Sequence, residues 1–101
     1  MSEYALNQQG FQSALAVSTS AVALTPAPAD SRPKHCQIRV IGESIRWRAD
    51  GTDPTASVGE LVAAGDRITF MDSYYNYTSM IEKFRAIRAS SDATLDIIYF
   101  D

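Results

Sequence analysis

The chain has little of the chemistry that enzymes and metalloproteins commonly use. It contains one cysteine, Cys36, and one histidine, His35, among 101 residues. A single cysteine excludes a disulfide within the chain, which fits folding in a reducing compartment. One thiol and one imidazole are too few ligands for a zinc site built from cysteine and histidine side chains. We therefore expect no metal and no cofactor.

Catalytic arrangements are also scarce. His35 and Cys36 are neighbours, and neighbours on an extended chain point to opposite faces, so they cannot form a hydrogen-bonded catalytic pair. The glycines are isolated, which excludes a phosphate-cradling loop. Asp50 and Asp53 could contribute to a calcium site, but a tight Asp-Gly turn explains that segment better. We expect no catalytic residue, and Cys36 to be a small buried hydrophobe.

Excess charge and long apolar runs are absent as well. The net charge is −3 and the charges are scattered, so no basic stripe is available for nucleic acid. Serine and threonine interrupt the Ala/Val-rich stretch at 14–24, so we expect neither a signal peptide nor a membrane span. With 46% hydrophobic and 21% charged residues, the composition indicates one globular domain over residues 1–101, with 1–12 as a possible N-terminal arm.

The sequence does contain a repeated alternation of apolar and polar residues, which is typical of half-buried strands. Runs at 37–41 and 45–48, joined by a turn at Gly42, predict one β-hairpin, and runs at 58–62 and 67–71 predict another. The Ala-rich N-terminal stretch could be helical, but its β-branched residues favour strands. The predicted strands cover 13–17, 21–24, 37–41, 45–48, 58–62, 67–71, 84–88 and 94–100.

These short strands, with turn residues between them and at most one helical turn near 79–82, predict an all-β fold. The expected architecture is a small antiparallel β-sandwich or a jelly-roll-like barrel of about eight short strands. Trp47 shares a strand face with Ile45, so we expect it to point at the core. The predicted core residues are Ile38, Val40, Ile45, Trp47, Ile68, Phe70, Leu95 and Ile97.

Two groups of side chains are candidates for contacts with other proteins. Arginines lie inside strands, where outward guanidinium groups suit bidentate pairing with carboxylates of another subunit, although a solvated face with internal ion pairs would look the same. Tyrosines cluster in an apparent loop, and they could form an interface or fold back as a lid on the core. The candidates are Arg39, Arg46, Arg48, Tyr74, Tyr75, Tyr77, Arg85 and Arg88.

A long central segment resembles a group of small structural proteins from tailed bacteriophages and prophages. The string from Ile45 to Gly59, followed by Ala63-Ala64-Gly65-Asp66, carries most of the resemblance. The stretches at 17–25, 84–88 and 93–95 are similar to the same group, so the likeness spans roughly residues 12–100. The Tyr-rich stretch at 72–82 looks longer than in that group, which makes it a candidate for a virus-specific contact.

The resemblance implies a virion component made in the host bacterial cytoplasm, and it supplies no catalytic motif. Our leading hypothesis is a capsid decoration, or cement, protein on the capsid exterior that binds the major capsid protein and stabilises the shell. We expect a homo-oligomer, with a trimer as one option, and neither nucleic acid nor membrane as a partner. The alternatives are a neck or tail accessory protein, a carbohydrate-binding surface module that uses Trp47 and the tyrosines, and a small hydrolase.

Overall fold

In the part of the chain that the structure describes, eight strands form two antiparallel sheets of four strands each. The structure is a computed structural model, and it describes residues 8–24, 33–72 and 74–100. A short helix, α1, spans Thr78–Lys83. The strands are β1 (Gln8–Val17), β2 (Val22–Ala23), β3 (His35–Ile41), β4 (Ile45–Arg48), β5 (Glu60–Val62), β6 (Arg67–Phe70), β7 (Arg85–Arg88) and β8 (Ala93–Phe100).

The strand order is that of a jelly roll. Sheet A has the order β1-β8-β3-β6, and sheet B has the order β2-β7-β4-β5. The pairs are nested, since the first strand pairs with the last, the second with the seventh, the third with the sixth and the fourth with the fifth. The two sheets make an open sandwich rather than a closed barrel, which confirms the predicted all-β sandwich.

The two predicted hairpins are wrong. Strand β3 lies in sheet A and β4 in sheet B, so the turn at Gly42 carries the chain from one sheet to the other. Strands β5 and β6 are likewise in opposite sheets. Gly42 and Gly65 do occupy turns with positive φ, a conformation that glycine adopts without steric cost. Turn residues show where a chain reverses, but which strand it then joins depends on contacts distant in sequence.

The core lies between the sheets and follows the alternation along each strand. In β8, every second side chain is buried, including Leu95, Ile97 and Tyr99. The Tyr99 hydroxyl donates a hydrogen bond of 3.1 Å to Oε1 of Gln12, so its polar end has a partner. The other predicted core residues are buried as follows: Ile38, Val40, Ile45, Ile68 and Phe70 almost completely, and Trp47 partly.

Trp47 points inward, into an aromatic group between the sheets. Its ring stacks on Phe84 with centroids 5.5 Å apart, and it meets Phe70 edge to face, also at 5.5 Å. Phe84 joins α1 to β7 and is fully buried. Helix α1, which the sequence predicted as a turn near 79–82, buries Ile81 against this core. The helix therefore covers part of the core between the two sheets.

The N-terminal strand is longer than the sequence predicted. Strand β1 begins at Gln8 rather than at residue 13, so residues 8–12 of the possible arm pair with β8. Residues 1–7 of that arm, and residues 25–32 of the proline-rich segment, lie outside the described residues.

A β-bulge interrupts β1 between Gln12 and Leu15. Ala14 in this bulge has a φ of 55°, which is the left-handed region that residues with a Cβ avoid. Its backbone N–H donates a hydrogen bond of 2.9 Å to the Asp96 carboxylate, which supports the irregular backbone from the neighbouring strand. The bulge therefore combines local strain with a compensating hydrogen bond.

We expect Ala14→Gly to stabilise the protein by about 0.5–1 kcal/mol, because glycine adopts a positive φ without the steric cost. The matched control is Ala16→Gly, at an exposed position on the same strand, which should instead destabilise by about 0.5–1 kcal/mol. Urea denaturation measures both changes. Two glycine variants with equal and unfavourable effects would contradict the strained conformation at residue 14.

Candidate protein-binding face

The outward surface of sheet A carries a shallow, partly apolar depression of about 160 Å³. All four strands of the sheet contribute to it. We call this surface the open face, and its residues are Phe11, Gln37, Arg39, Arg67, Asp96 and Ile98.

One row of neighbouring residues, which runs across the strands of the open face, is largely apolar. Ile98 lies opposite Phe11 on one side and opposite Gln37 on the other. The Phe11 side chain is 50% exposed even though it sits on a paired strand. A large aromatic group left half in water on a sheet surface is available for contact with another molecule.

The next row is charged. Arg39 of β3 lies opposite Asp96 of β8 and, on its other side, opposite Arg67 of β6. The Asp96 carboxylate accepts the hydrogen bond from the bulge N–H of Ala14. Arg39 and Arg67 therefore stand side by side at the sheet surface, next to the apolar row.

The outward surface of sheet B is different, because the loop at 49–59 lies against it. Arg46 projects from β4 and donates hydrogen bonds of 3.0 Å from Nε to the Ala56 carbonyl and from Nη1 to the Gly59 carbonyl. Pro54 is buried, and a Cβ at Gly59 would come within 3.1 Å of the Trp47 carbonyl oxygen. The loop thus covers part of sheet B, and Arg46 holds it there.

Replacing Arg46 with lysine should loosen this loop, since a lysine cannot reach both carbonyls with a planar fork. We expect Arg46→Lys to destabilise the protein by about 1–2 kcal/mol, in line with hydrogen bonds from a charged donor. Amide hydrogen exchange should speed up at 55–59 and stay unchanged in sheet A. The control, Arg48→Lys, alters an exposed ion pair with Asp50 and should change stability little. Equal exchange in both variants would show that Arg46 does not hold the loop.

The remaining candidate arginines have partners within the chain. Arg48 pairs with Asp50, and Arg88 pairs with Asp92 at 2.7 Å. Hydrogen bonds lower the pKa of both carboxylates, from Arg48 in the case of Asp50 and from Ser18 and Arg88 in the case of Asp92. Arg85 donates to the backbone carbonyls of Glu82 and Phe84. These three arginines fit the interpretation of internal pairing better than that of a free interface.

The sequence allows two roles for the tyrosines, an interface with another protein or a lid on the core, and the structure assigns different tyrosines to each. Tyr74 and Tyr75 are 81% and 63% exposed. Tyr77 instead packs against the core, with its ring 5.7 Å from Phe70 and 6.3 Å from His35. Its backbone N–H donates to the Lys34 carbonyl at 2.8 Å, which ties the loop to the start of β3. Tyr77 is therefore part of a lid, while its neighbours point into solvent.

His35 and Cys36 are both buried, although they lie on opposite faces of β3. Cys36 faces the core, and Nδ1 of His35 accepts a hydrogen bond of 3.4 Å from the Asp72 N–H beneath the tyrosine loop. Burial raises the pKa of the Cys36 thiol to about 12. The reactive thiolate is therefore disfavoured and inaccessible, which leaves Cys36 as a packing residue.

The raised pKa of Cys36 makes stability depend on pH under alkaline conditions. The thiol stays protonated in the folded protein, whereas in the unfolded chain it ionises near its ordinary pKa of 9.0. Stability should therefore be unaffected by this group below pH 9 and fall between pH 9 and about 12. Cys36→Ala should show a shallower fall over that range in urea denaturation. Identical pH profiles for the two proteins would contradict a buried, protonated thiol.

Within 8–24, 33–72 and 74–100, no group of three or more His, Cys, Asp or Glu side chains could hold a metal ion. In those same ranges, no helix is long and apolar enough to cross a membrane. No family model, curated protein or solved structure matches the chain.

Arg39 was predicted from the sequence as an interface residue, whereas the other residues of the open face were not. Asp96 and Ile98 alternate along β8 with Leu95 and Ile97, which were predicted to point inward. The same alternation therefore predicts that Asp96 and Ile98 point outward. Arg67 stands at the start of β6, and nothing in the sequence shows that it faces Arg39. Phe11 fell in the segment that the sequence assigned to a possible arm.

Proposed function

We propose that the protein is a structural component of a bacteriophage virion, a capsid decoration protein that binds the major capsid protein shell through the open face of sheet A. The observation that carries the proposal is the difference between the two outer surfaces. Sheet B has its own loop held against it by Arg46, whereas the depression on sheet A combines a half-exposed Phe11 and a partly exposed Ile98 with two arginines. Exposed aromatic and arginine groups together are typical of protein interfaces.

The fold supports this proposal in a general way. Jelly rolls occur repeatedly in virus particles, but they also occur in lectins and other proteins, so the fold alone does not define a function. Tyr74 and Tyr75 at one end of the sandwich add further exposed aromatic surface. A partner that contacts the open face and this end together would bury most of the exposed aromatic groups described here.

Binding at many equivalent sites would stabilise the shell. A symmetric shell offers the same site many times, and oligomers of a small protein can hold several neighbouring subunits at once. Modest individual interfaces then give a high overall affinity, because each further contact is intramolecular. Strong binding at any single site is not required.

We propose binding rather than catalysis because the buried His35 and Cys36 are shielded from a substrate. Trp47, which a carbohydrate-binding module would use as a stacking platform, packs its ring on Phe84 and Phe70 between the sheets. These placements favour a protein partner over a glycan or a small substrate.

Co-sedimentation with undecorated capsids tests the proposal. We expect the purified protein to pellet with the shells at micromolar concentration and to saturate at a fixed ratio to the coat subunits. Shells that stay bare would contradict it. If the protein binds only to complete particles, and density follows the portal axis instead of icosahedral symmetry, it is a neck or tail protein.

A further inference from the structure

We propose that Arg39 and Arg67 together form a receptor for a carboxylate of an acidic protein segment that also carries an apolar side chain. This inference extends the proposed function, because it states what the partner must present to the open face. It does not require that the partner be a capsid protein.

The two arginines are placed next to each other in the fold. They lie directly opposite each other on adjacent strands of sheet A. Like charges in that arrangement repel and destabilise a sheet. Features that break a local rule of sequence and structure are expected at functional or strained sites.

Within the part of the chain that the structure describes, no acidic side chain forms an ion pair with either guanidinium group. Among the described residues, the side chains of Arg39 and Arg67 make neither an ion pair nor a hydrogen bond, unlike those of Arg48 and Arg88. Asp96 lies opposite Arg39 in the sheet, but its Oδ1 accepts the hydrogen bond from the Ala14 N–H and the carboxylate forms no ion pair with Arg39. Two guanidinium groups are thus left available on the surface of a protein whose net charge is −3.

The chemistry of the open face favours a carboxylate as the ligand. Planar guanidinium groups bind carboxylates through two parallel hydrogen bonds, and two adjacent guanidinium groups can share one carboxylate. Phe11 and Ile98 form an apolar wall beside them, which suits a ligand with an apolar part next to its charge. A phosphate of a nucleic acid backbone offers no such part.

The size of the depression argues for a protein segment. Its volume of about 160 Å³ is below the roughly 300–1,000 Å³ of pockets that hold independent small molecules. It can take one or two side chains of a partner that makes further contacts around it. The occupant we infer is therefore an Asp or Glu beside a large apolar residue on another protein.

A titration followed by NMR tests this inference with a defined probe. The probe is 3-phenylpropionate, which joins a carboxylate to an aromatic ring, and its matched control is the uncharged 3-phenylpropanamide. Both are added at millimolar concentration, because so small a depression binds a free molecule weakly. We expect the side-chain Nε–H signals of Arg39 and Arg67 to shift with the acid and to stay in place with the amide. Arg67→Gln should remove the shifts, whereas Lys83→Gln, which changes the net charge equally at the end of α1, should leave them unchanged.

Thermal unfolding adds a readout that a purely structural role would not give. Arg67→Gln should raise the melting temperature of the free protein, because it removes the repulsion, while it removes carboxylate binding. A lower melting temperature, or shifts of equal size with inorganic phosphate and with the acid, would overturn the inference.

The two proposals can fail separately. If the unmodified protein sediments with capsids and Arg67→Gln sediments equally well, the receptor is wrong and the decoration role stands. If the probe binds as expected but no capsid binds, the decoration role fails and the receptor stands.

Discussion

Replacing Phe84 with alanine is expected to destabilise the protein by about 3–5 kcal/mol, which is the range for removing a large buried aromatic side chain. Phe84 is fully buried and contacts Trp47 and Phe70 between the two sheets. It also connects α1 to β7, so a cavity at this position affects both elements. A domain of this size has a total stability of about 5–15 kcal/mol, so the variant should be close to unfolding.

Urea denaturation and thermal unfolding measure this effect, and the melting temperature should fall by on the order of 15 °C or more. The control is Tyr74→Ala, which removes an aromatic side chain that is 81% exposed and should change stability by about 0.5 kcal/mol or less. A small loss for Phe84→Ala would show that this residue does not lie between the sheets.

Replacing Phe11 with glutamate is expected to reduce capsid binding at least about tenfold, because central aromatic residues of an interface contribute about 1–2 kcal/mol or more each. The glutamate also adds a carboxylate to the depression that Arg39 and Arg67 line, so it opposes the approach of a partner carboxylate. Simultaneous binding by the linked subunits of a homo-oligomer should enlarge the observed loss. Sedimentation with undecorated capsids over a series of protein concentrations measures it.

Leu61→Glu is the matched control. Leu61 is 57% exposed, close to the 50% of Phe11, but it lies on β5 of sheet B. The two variants carry the same change of charge and a similar loss of apolar surface. If both lose binding equally, or if only Leu61→Glu does, the binding face is not on sheet A.

Much of the fold follows from local features of the sequence. Alternation along β8 predicts that Leu95 and Ile97 point inward, and they are buried because every second residue of a strand meets the opposite sheet. The same reasoning places Trp47 toward the core. Period-two patterns succeed here because each strand has one face on the core and one in solvent.

The connections between strands could not be predicted in the same way. The segment at Gly42-Glu43-Ser44 has the composition of a hairpin turn, yet it joins strands of different sheets. The free energy that selects the crossing comes from pairing β3 with β6 and β8, which are distant in sequence. A turn motif contains no information about those partners.

The roles of the candidate site residues could not be predicted from the sequence either. Arg39, Arg46 and Arg88 are all strand arginines, and the sequence does not distinguish them. Their roles differ because the folded loop brings two carbonyls to Arg46, and Asp92 comes within reach of Arg88. Arg39 meets another arginine instead. The distinction arises only when strand register and loop position are known.

The orientation of the protein on a decorated particle tests the central claim most directly. In a cryo-EM reconstruction, we expect sheet A to face the shell, with Phe11, Arg39 and Arg67 against coat subunits and the loop at 49–59 turned to solvent. A map in which sheet B contacts the shell while the open face of sheet A stays bare would contradict the account.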